Sequence, residues 1–353
     1  MRRSLLIFLL VAILLLTFIL NSLSTLLSLL VEDASADAIH RSELPAPNST
    51  LIDTRPLLIP KIIHQTYKNE TIPERWRAAQ QSCIDLHPDY EYKMWTDATS
   101  LDFIQQEYPW FIPTFVGYKH NIQRADAIRY FVLAHYGGVY IDLDDGCLRR
   151  LDPLLSYHAF LRRTIPTGIS NDAMGAVPQH PFFLRVIESL QAADRSWVLP
   201  YITIMASTGP LFLSVMWKKW MGEHSHMDPG TWVGRVRVLM PSEYNNYPWS
   251  FFQKFKGDSW HGKDAKLIFW MGKNWFLLVL VGTVIVLTVG FLCYCVYSRL
   301  VAVAARRRNG GVSLAPSPRI NALKGSVASR IPLWGLWSGN KGSSYELIEQ
   351  HDA

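Results

Sequence analysis

The sequence predicts an α/β domain set between two membrane-spanning helices. Three observations carry this. Short β-branched and aromatic runs alternate with stretches of helical period through the middle of the chain, the pattern of helices layered on a sheet. Residues 4–31 and 275–297 are long apolar stretches on either side of that middle, and the second is free of charge throughout, enough to cross a hydrocarbon core of about 30 Å. Residues 124–146, RADAIRYFVLAHYGGVYIDLDDG, pass from helix to strand to a cluster of acids.

The charges orient the two apolar stretches. Arg2 and Arg3 precede the first, and Arg299 and Arg306 to Arg308 follow the second. The positive-inside rule then predicts cytosolic ends and a lumenal portion between the spans. The first stretch is too long for a signal-peptide core of about 7–15 residues. It therefore reads as a signal anchor, although Ala34-Ser35-Ala36 imitates a cleavage site. The expected order is a cytosolic 1–3, a span over 4–31, a lumenal stem over 32–57, the folded domain over 58–274, a span over 275–297 and a disordered cytosolic tail over 298–353. Net charge is +6, with the basic excess at the two ends. The near-neutral middle argues against a nucleic-acid surface. Sequons at Asn48 and Asn69 fall in the lumenal portion, as glycosylation requires. Cys83 and Cys147 are the only cysteines there. An oxidising lumen permits a bond between them, but spacing alone leaves their pairing open.

Within the domain the elements follow in order. Residues 60–66 read as a strand with a polar end, His64-Gln65-Thr66. A helix opens near Pro73, suited to a first turn. Residues 90–95 alternate as a second strand, ending in a turn or cap at Thr96-Asp97. A short helix covers 101–108. Residues 122–136 form the next helix, stopped by Gly137-Gly138, and 139–141 a short buried strand. A strand follows near 174–177, then helices from Phe182 and from Leu211, and a strand over 232–240.

Two clusters carry chemistry. On a strand, Asp142 and Asp144 would share a face and Asp145 would point away, so Asp145 is expected to matter less. Two carboxylates on one face repel unless a cation sits between them, and hard cations such as Mn²⁺ or Mg²⁺ prefer such oxygens. Asp126 and Arg129 lie three apart on the preceding helix and share its face.

The blocks LIPKIIHQTYK (58–68), CIDLHPDYEYKMWTD (83–97), EYPWF (107–111), RADAIRYFVLAHYGGVYIDLDDGC (124–147), SNDAMGAVPQHPFFL (170–184), STGPLFLSVMWK (207–218) and SWHGKDAKL (259–267) resemble glycosyltransferase family 32, in its lipid-directed branch. The resemblance implies a GT-A type, Rossmann-like nucleotide-sugar domain and a retaining mannosyltransferase of the Golgi membrane. It implies GDP-mannose as donor, inositol-phosphorylceramide as acceptor, and a multi-spanning regulatory subunit as partner. Asp142 and Asp144 would be catalytic and, with His261, would bind the metal. Asp126, Arg129, His64, Gln65, Thr66, Asn171, Asp172 and Trp260 would surround the donor. The aromatic 241–255 segment would rest at the membrane surface near the lipid. Other readings are a transferase acting on N-glycans or protein-linked glycans, a phosphohydrolase, and a non-catalytic membrane subunit. Gly146 disfavours the phosphohydrolase, whose chemistry wants Thr or Val there.

Overall fold

The computed structural model describes residues 2–309, apart from 33, 48, 50–52, 166, 245–246 and 258–261. Asn48, Trp260, His261 and the tail from 310 therefore lie outside the described residues. The chain divides into one unit up to Leu292 and a second from Cys293.

In chain order the elements are α1 (Arg2–Ser22), α2 (Ser24–Val31), β1 (Ala38–Ile39), β2 (Ile62–Thr66), α3 (Glu74–Leu86), β3 (Glu91–Trp95), α4 (Asp97–Glu107), α5 (Ile112–Gly117), α6 (Asn121–Tyr136) and β4 (Gly138–Ile141). Then come β5 (Asp145–Cys147), β6 (Ala159–Arg163), β7 (Ile169–Ala176), α7 (Pro181–Ala193), α8 (Pro200–Ser207), α9 (Pro210–Glu223), β8 (Arg237–Leu239), β9 (Phe252–Lys254), α10 (Lys263–Lys273) and α11 (Trp275–Asn309). Seven strands make one mixed sheet in the order β1-β8-β6-β7-β4-β2-β3. Only β7 runs against its neighbours in that sheet. β5 and β9 form a separate antiparallel pair.

Strand alternation divides the core. Tyr140, Leu161 and Met174 face one way, against Phe131 of α6, Phe182 of α7 and Trp217 of α9. Val139, Ile141, Phe160 and Ala173 face the other way, with Ile63, Phe251 and Phe252. Helix α6 is buried continuously from Asp126 to Ala134, as a helix packed between layers must be. It ends where Gly137 and Gly138 take φ of +66° and +91°. A Cβ on Gly138 would sit 2.7 Å from the Ile62 carbonyl oxygen, so only glycine lets β4 start this close to β2.

Several expectations are corrected. The segment expected as a stem, 32–57, is no loose linker over residues 37–43. Ala38 and Ile39 pair with β8 at the sheet edge. Arg235 bonds Asp37 at 2.9 Å and Arg237 bonds Glu43 at 2.6 Å, so the folded domain starts well before 58. The aromatics of 241–255 do not all face outward, because Tyr244, Phe251 and Phe252 are buried. The strand placed over 232–240 shortens to β8, and β6 and α8 are elements without a counterpart in the sequence reading. Among the described residues one helix, Trp275–Ala305, is long and apolar enough to cross a membrane. Its helix continues to Asn309, so 298–309 is helical rather than disordered. The N-terminal pair, Leu5–Asn21 and Ser24–Val31, meets the same criterion only as one span bent by 61°.

A disulfide joins Cys83 of α3 to Cys147 of β5 across 64 residues. Loop-closure entropy for that length is worth about 4 kcal/mol. Replacing both cysteines by serine should lower stability by about that much, read as a lower midpoint of thermal inactivation of the detergent-solubilised chain. An unchanged midpoint would show that the bond carries no stability.

Candidate active site

Because β7 runs against β4, the start of one meets the end of the other. Ile141 pairs with Ala173, and the next bond runs from the Asp142 N–H to the Asp172 carbonyl at 2.8 Å. The chain then turns, with the Asp145 N–H donating to the Asp142 carbonyl at 3.0 Å. Asp142 and Asp144 therefore sit in a tight turn, and strand alternation does not set their side chains. Both remain partly exposed, whereas Asp145 opens β5 and is fully buried.

A hydroxyl and a guanidinium aim Asp142. Its Oδ1 accepts from the Tyr140 hydroxyl at 2.7 Å and lies 3.2 Å from an Arg129 nitrogen. Since Tyr140 gives its proton to Asp142, the Thr66 hydroxyl, 3.0 Å away, donates to Tyr140. Arg129 also lies 3.1 Å from Asp126 Oδ1 and donates to the Asn171 carbonyl at 2.6 Å. The Asn171 amide donates to Asp126 Oδ1 at 2.9 Å and Thr208 donates to Oδ2 at 3.2 Å. Burial raises the Asp126 carboxyl, opposed chiefly by Arg129. Burial likewise lifts Asp142 to about 6; Arg129 opposes this, while Asp172 and Asp144 add to it.

A second buried cation holds the other side. Arg162 bonds Asp145 Oδ2 at 2.9 Å and Asp172 Oδ2 at 2.6 Å, with its guanidinium 4.5 Å from the Tyr244 ring centre. Burial pushes Asp145 up to about 7 against the pull of Arg162. Burial pushes the same way at Asp172, but Arg162 and then Lys254 outweigh it and the carboxyl ends below its ordinary range. The remaining oxygen of each, Oδ1, is buried without a hydrogen-bond partner among the described residues. The expectation that Asp145 points away and matters little is thus reversed, because it is a buried counter-ion.

Exposure sorts the residues expected around a donor. The side chains of Asp142 and Asp172 are 29% and 13% exposed, against 6% for Asp126 and 5% for Arg129. Asp142 is open to a ligand, Asp172 shows only an edge beside Arg162 and Lys254, and Arg129 mainly positions others. Asp126 Oδ1 has two partners and Oδ2 one, so one acceptor site remains on Oδ2. Asn171 is buried in the same network. His64 is corrected to a structural residue. Its Nδ1 accepts from the Trp95 indole at 3.1 Å, so its Nε2–H donates to the Gly137 carbonyl, 2.8 Å away. Burial drops it to about 4, which keeps it neutral. Gln65 is also buried, accepting from the Tyr92 hydroxyl at 2.7 Å. Thr66 alone of that trio reaches the site, through Tyr140. The exposed Asn69 accepts the Thr71 N–H at 3.1 Å.

The carboxylates suit a hard cation in type. No group of three or more metal-ligating side chains assembles among the described residues, and His261, expected as a further ligand, lies outside them. Sequence reasoning missed Tyr140, Thr208, Arg162, Lys254 and Gly257. Phe255 donates its N–H to the Asp144 carbonyl at 2.7 Å, and a Cβ on Gly257 would lie 2.2 Å from Asp144 Oδ2. A side chain at 257 would push the Asp144 carboxylate from its place in the acidic turn. Lys254 pairs with Asp145 across β5 and β9, and its ammonium lies 3.8 Å from Asp172. Tyr140 and Thr208 at least sit inside quoted motifs, but nothing local marks the other three.

Removing Arg162 should leave two buried carboxylates uncompensated. Arg162→Met should therefore cost about 3–5 kcal/mol, seen as an early thermal midpoint, whereas Asp144→Asn should melt like the wild type. Equal midpoints for all three proteins would remove Arg162 from its structural role.

Comparison with known proteins agrees with this acidic turn. The family described as "Glycosyltransferase sugar-binding region containing DXD motif" matches residues 73–161. A mannosyl phosphorylinositol ceramide synthase of Saccharomyces cerevisiae is 54% identical over 76% of this chain and 71% of its own. A second from the same yeast is 53% identical over 76% and 68%. Inositol phosphoceramide mannosyltransferase 2 of Schizosaccharomyces pombe is 48% identical over 70% and 72%. With relatives this similar over most of both chains, the protein belongs to the inositol phosphoceramide mannosyltransferase family of DXD-containing glycosyltransferases.

Proposed function

We propose that this protein transfers mannose from GDP-mannose to inositol phosphorylceramide with retention of configuration, giving mannosyl-inositol-phosphorylceramide for sphingolipid synthesis. The observation that carries the reading is the intact Asp142–Asp144 turn, aimed by Arg129 and Tyr140, in a chain of this family. A two-pass Golgi membrane protein with a lumenal GT-A domain and cytosolic ends fits the same reading, as does a multi-spanning regulatory partner.

Asp144 and Asp142 would hold a divalent cation, Mn²⁺ or Mg²⁺. When bound, it supplies positive charge to the departing diphosphate. Arg129 keeps Asp142 fixed and offsets part of its burial. Asp126 offers the remaining site on Oδ2 to a donor hydroxyl, and Asp172 and Thr66 border the same space. Lys254, 59% exposed beside Asp172, is suited to a phosphate oxygen. Trp260 would donate its indole N–H to the diphosphate and His261 would join the cation. We assign no protein nucleophile.

The test is transfer of labelled mannose by the purified chain, alone and with its membrane partner. GDP-mannose should serve, and UDP-glucose and UDP-galactose should be poor. Preference for a uridine donor would overturn the donor assignment. Asp144→Asn should lower kcat by about 10²–10³ without loss of folding, the usual cost of one electrostatic contact to the transition state. EDTA should silence the wild type and Mn²⁺ restore it; full activity in EDTA would make the acidic turn structural.

Protonation opposes metal binding, because a carboxylate must be ionised to bind a cation. With Asp142 lifted to about 6, apparent Mn²⁺ affinity should fall as pH drops through that value. Titration calorimetry between pH 5 and 7.5 would check it, and a flat affinity would show that Asp142 does not bind the metal.

A further inference from the structure

The N-terminal helix pair encloses a space that no catalytic residue uses. A cavity of about 350 Å³ lies between the α1–α2 junction, α8, α9 and the β6–β7 loop, within the range of small-molecule sites. Leu27 and Leu30 line one side, Met205 and Leu211 another, and Thr167 and Ser214 close it. Thr164 also lines it, and of the three hydroxyls those of Thr167 and Ser214 are already engaged. Thr167 donates to the Leu29 carbonyl, and Ser214 donates to the Pro210 carbonyl at 2.6 Å while accepting the Ile169 N–H at 2.8 Å. Leucines, Met205 and Pro210 make up most of the lining, so the cavity suits hydrocarbon, and a polar ligand would lose hydration for few partners in return.

Its wall is fastened in place. Lys218 pairs with Glu32 just past the end of α2, and Arg163 donates to the Glu32 carbonyl. Two cations at a helix C-terminus also complement its dipole. Beyond the cavity, α1 carries an exposed apolar surface including Leu6, Ile7 and Phe18, so its outer side continues into the surface best suited to lipid.

The cavity and the candidate active site share two elements. Gly168 lines the cavity and Asn171 stands three residues along β7, about 10 Å away at strand rise. Pro210 also lines the cavity, and a Cβ on its neighbour Gly209 would lie 3.5 Å from Asp126 Oδ2. The corner formed by Thr208 to Pro210 is thus the partition between the acidic network and the apolar space.

We propose that this cavity holds the acyl chain of the lipid acceptor while the headgroup lies at the acidic turn. This rests on the mannosyltransferase reading above. A single lipid meets both requirements, because it joins a polar headgroup to an apolar chain.

The test fills the cavity in the full-length enzyme. Met205→Trp and Leu211→Trp should each raise KM for long-chain inositol phosphorylceramide by about tenfold or more, the effect of losing roughly two buried methylenes. KM for GDP-mannose should not change, nor should KM for an acceptor whose acyl chain is cut to two carbons. If both variants melt like the wild type and KM for the long-chain acceptor is unchanged, the proposal is overturned. A second measurement does not depend on substitution. Inositol phosphorylceramide with a diazirine in its acyl chain should crosslink the wild-type protein on α2 or α9, and crosslinks confined to α11 would overturn the proposal. Failure of the wild type to mannosylate any inositol phosphorylceramide would instead strike the functional reading, while the crosslink sites would still report on the cavity.

Discussion

The site depends on one buried guanidinium. Arg129 is 4% exposed and ties three elements together: its own helix α6 through Asp126, the end of β4 through Asp142, and the start of β7 through the Asn171 carbonyl. A cation this deep is tolerated only because carboxylates and a carbonyl surround it. In return it fixes the side chain that opens the acidic turn. Tyr140 and Thr66 extend the same restraint from β4 to β2. Asp142 is therefore aimed by residues on four strands and helices rather than by the loop that carries it.

Charge balance supports the cation proposed at the turn. Asp126, Asp142, Asp144, Asp145 and Asp172 gather around Arg129 and Arg162, with Lys254 at the rim. The arginines are engaged by the most buried carboxylates. Asp144 is left in the exposed part of the turn, beside Gly257. Negative charge thus remains unneutralised where solvent and ligands can reach, and Asp172 and Asp144 add to the lift that burial gives the Asp142 carboxyl against the pull of Arg129. Placing the surplus at the mouth of the site, with the pairs sealed below it, leaves the open position to a hard cation.

What was legible in the sequence was local. The passage from α6 through Gly137 and Gly138 into β4 follows from side-chain period and glycine alone, and so do β2, β3 and the Thr96 cap, which accepts the Thr99 N–H at 3.2 Å. Pairing between distant segments was not legible. β1 is two residues long and belongs to the sheet only because β8 lies beside it; the same residues read as a linker when taken alone. β5 and β9 are three residues each and find one another across a hundred residues of chain, so neither Lys254 nor Gly257 announces itself. Asp145 was misread for a related reason. Alternation assumes that the strand continues, and the bond between Asp145 and Asp142 ends it. His64 shows the converse limit: a motif position can be fixed by the core, here with both ring nitrogens bonded, to Trp95 and to Gly137.

The turn is also braced from outside the sheet. β5 follows it directly and is pinned to α3 by the Cys83–Cys147 bond and by Ser82, whose hydroxyl accepts the Cys147 N–H at 2.9 Å. From the far side, Phe255 bonds the Asp144 carbonyl, and the Trp76 indole of α3 donates to the Lys256 carbonyl at 3.2 Å. Helix α3 thus grips both the strand after the acids and the segment that lies over them. An electrostatic site gains most when its charges need not reorganise as the reaction proceeds. The acidic turn meets that condition, since motion of Asp144 would have to carry β5, the 255–257 segment and a covalently attached helix with it.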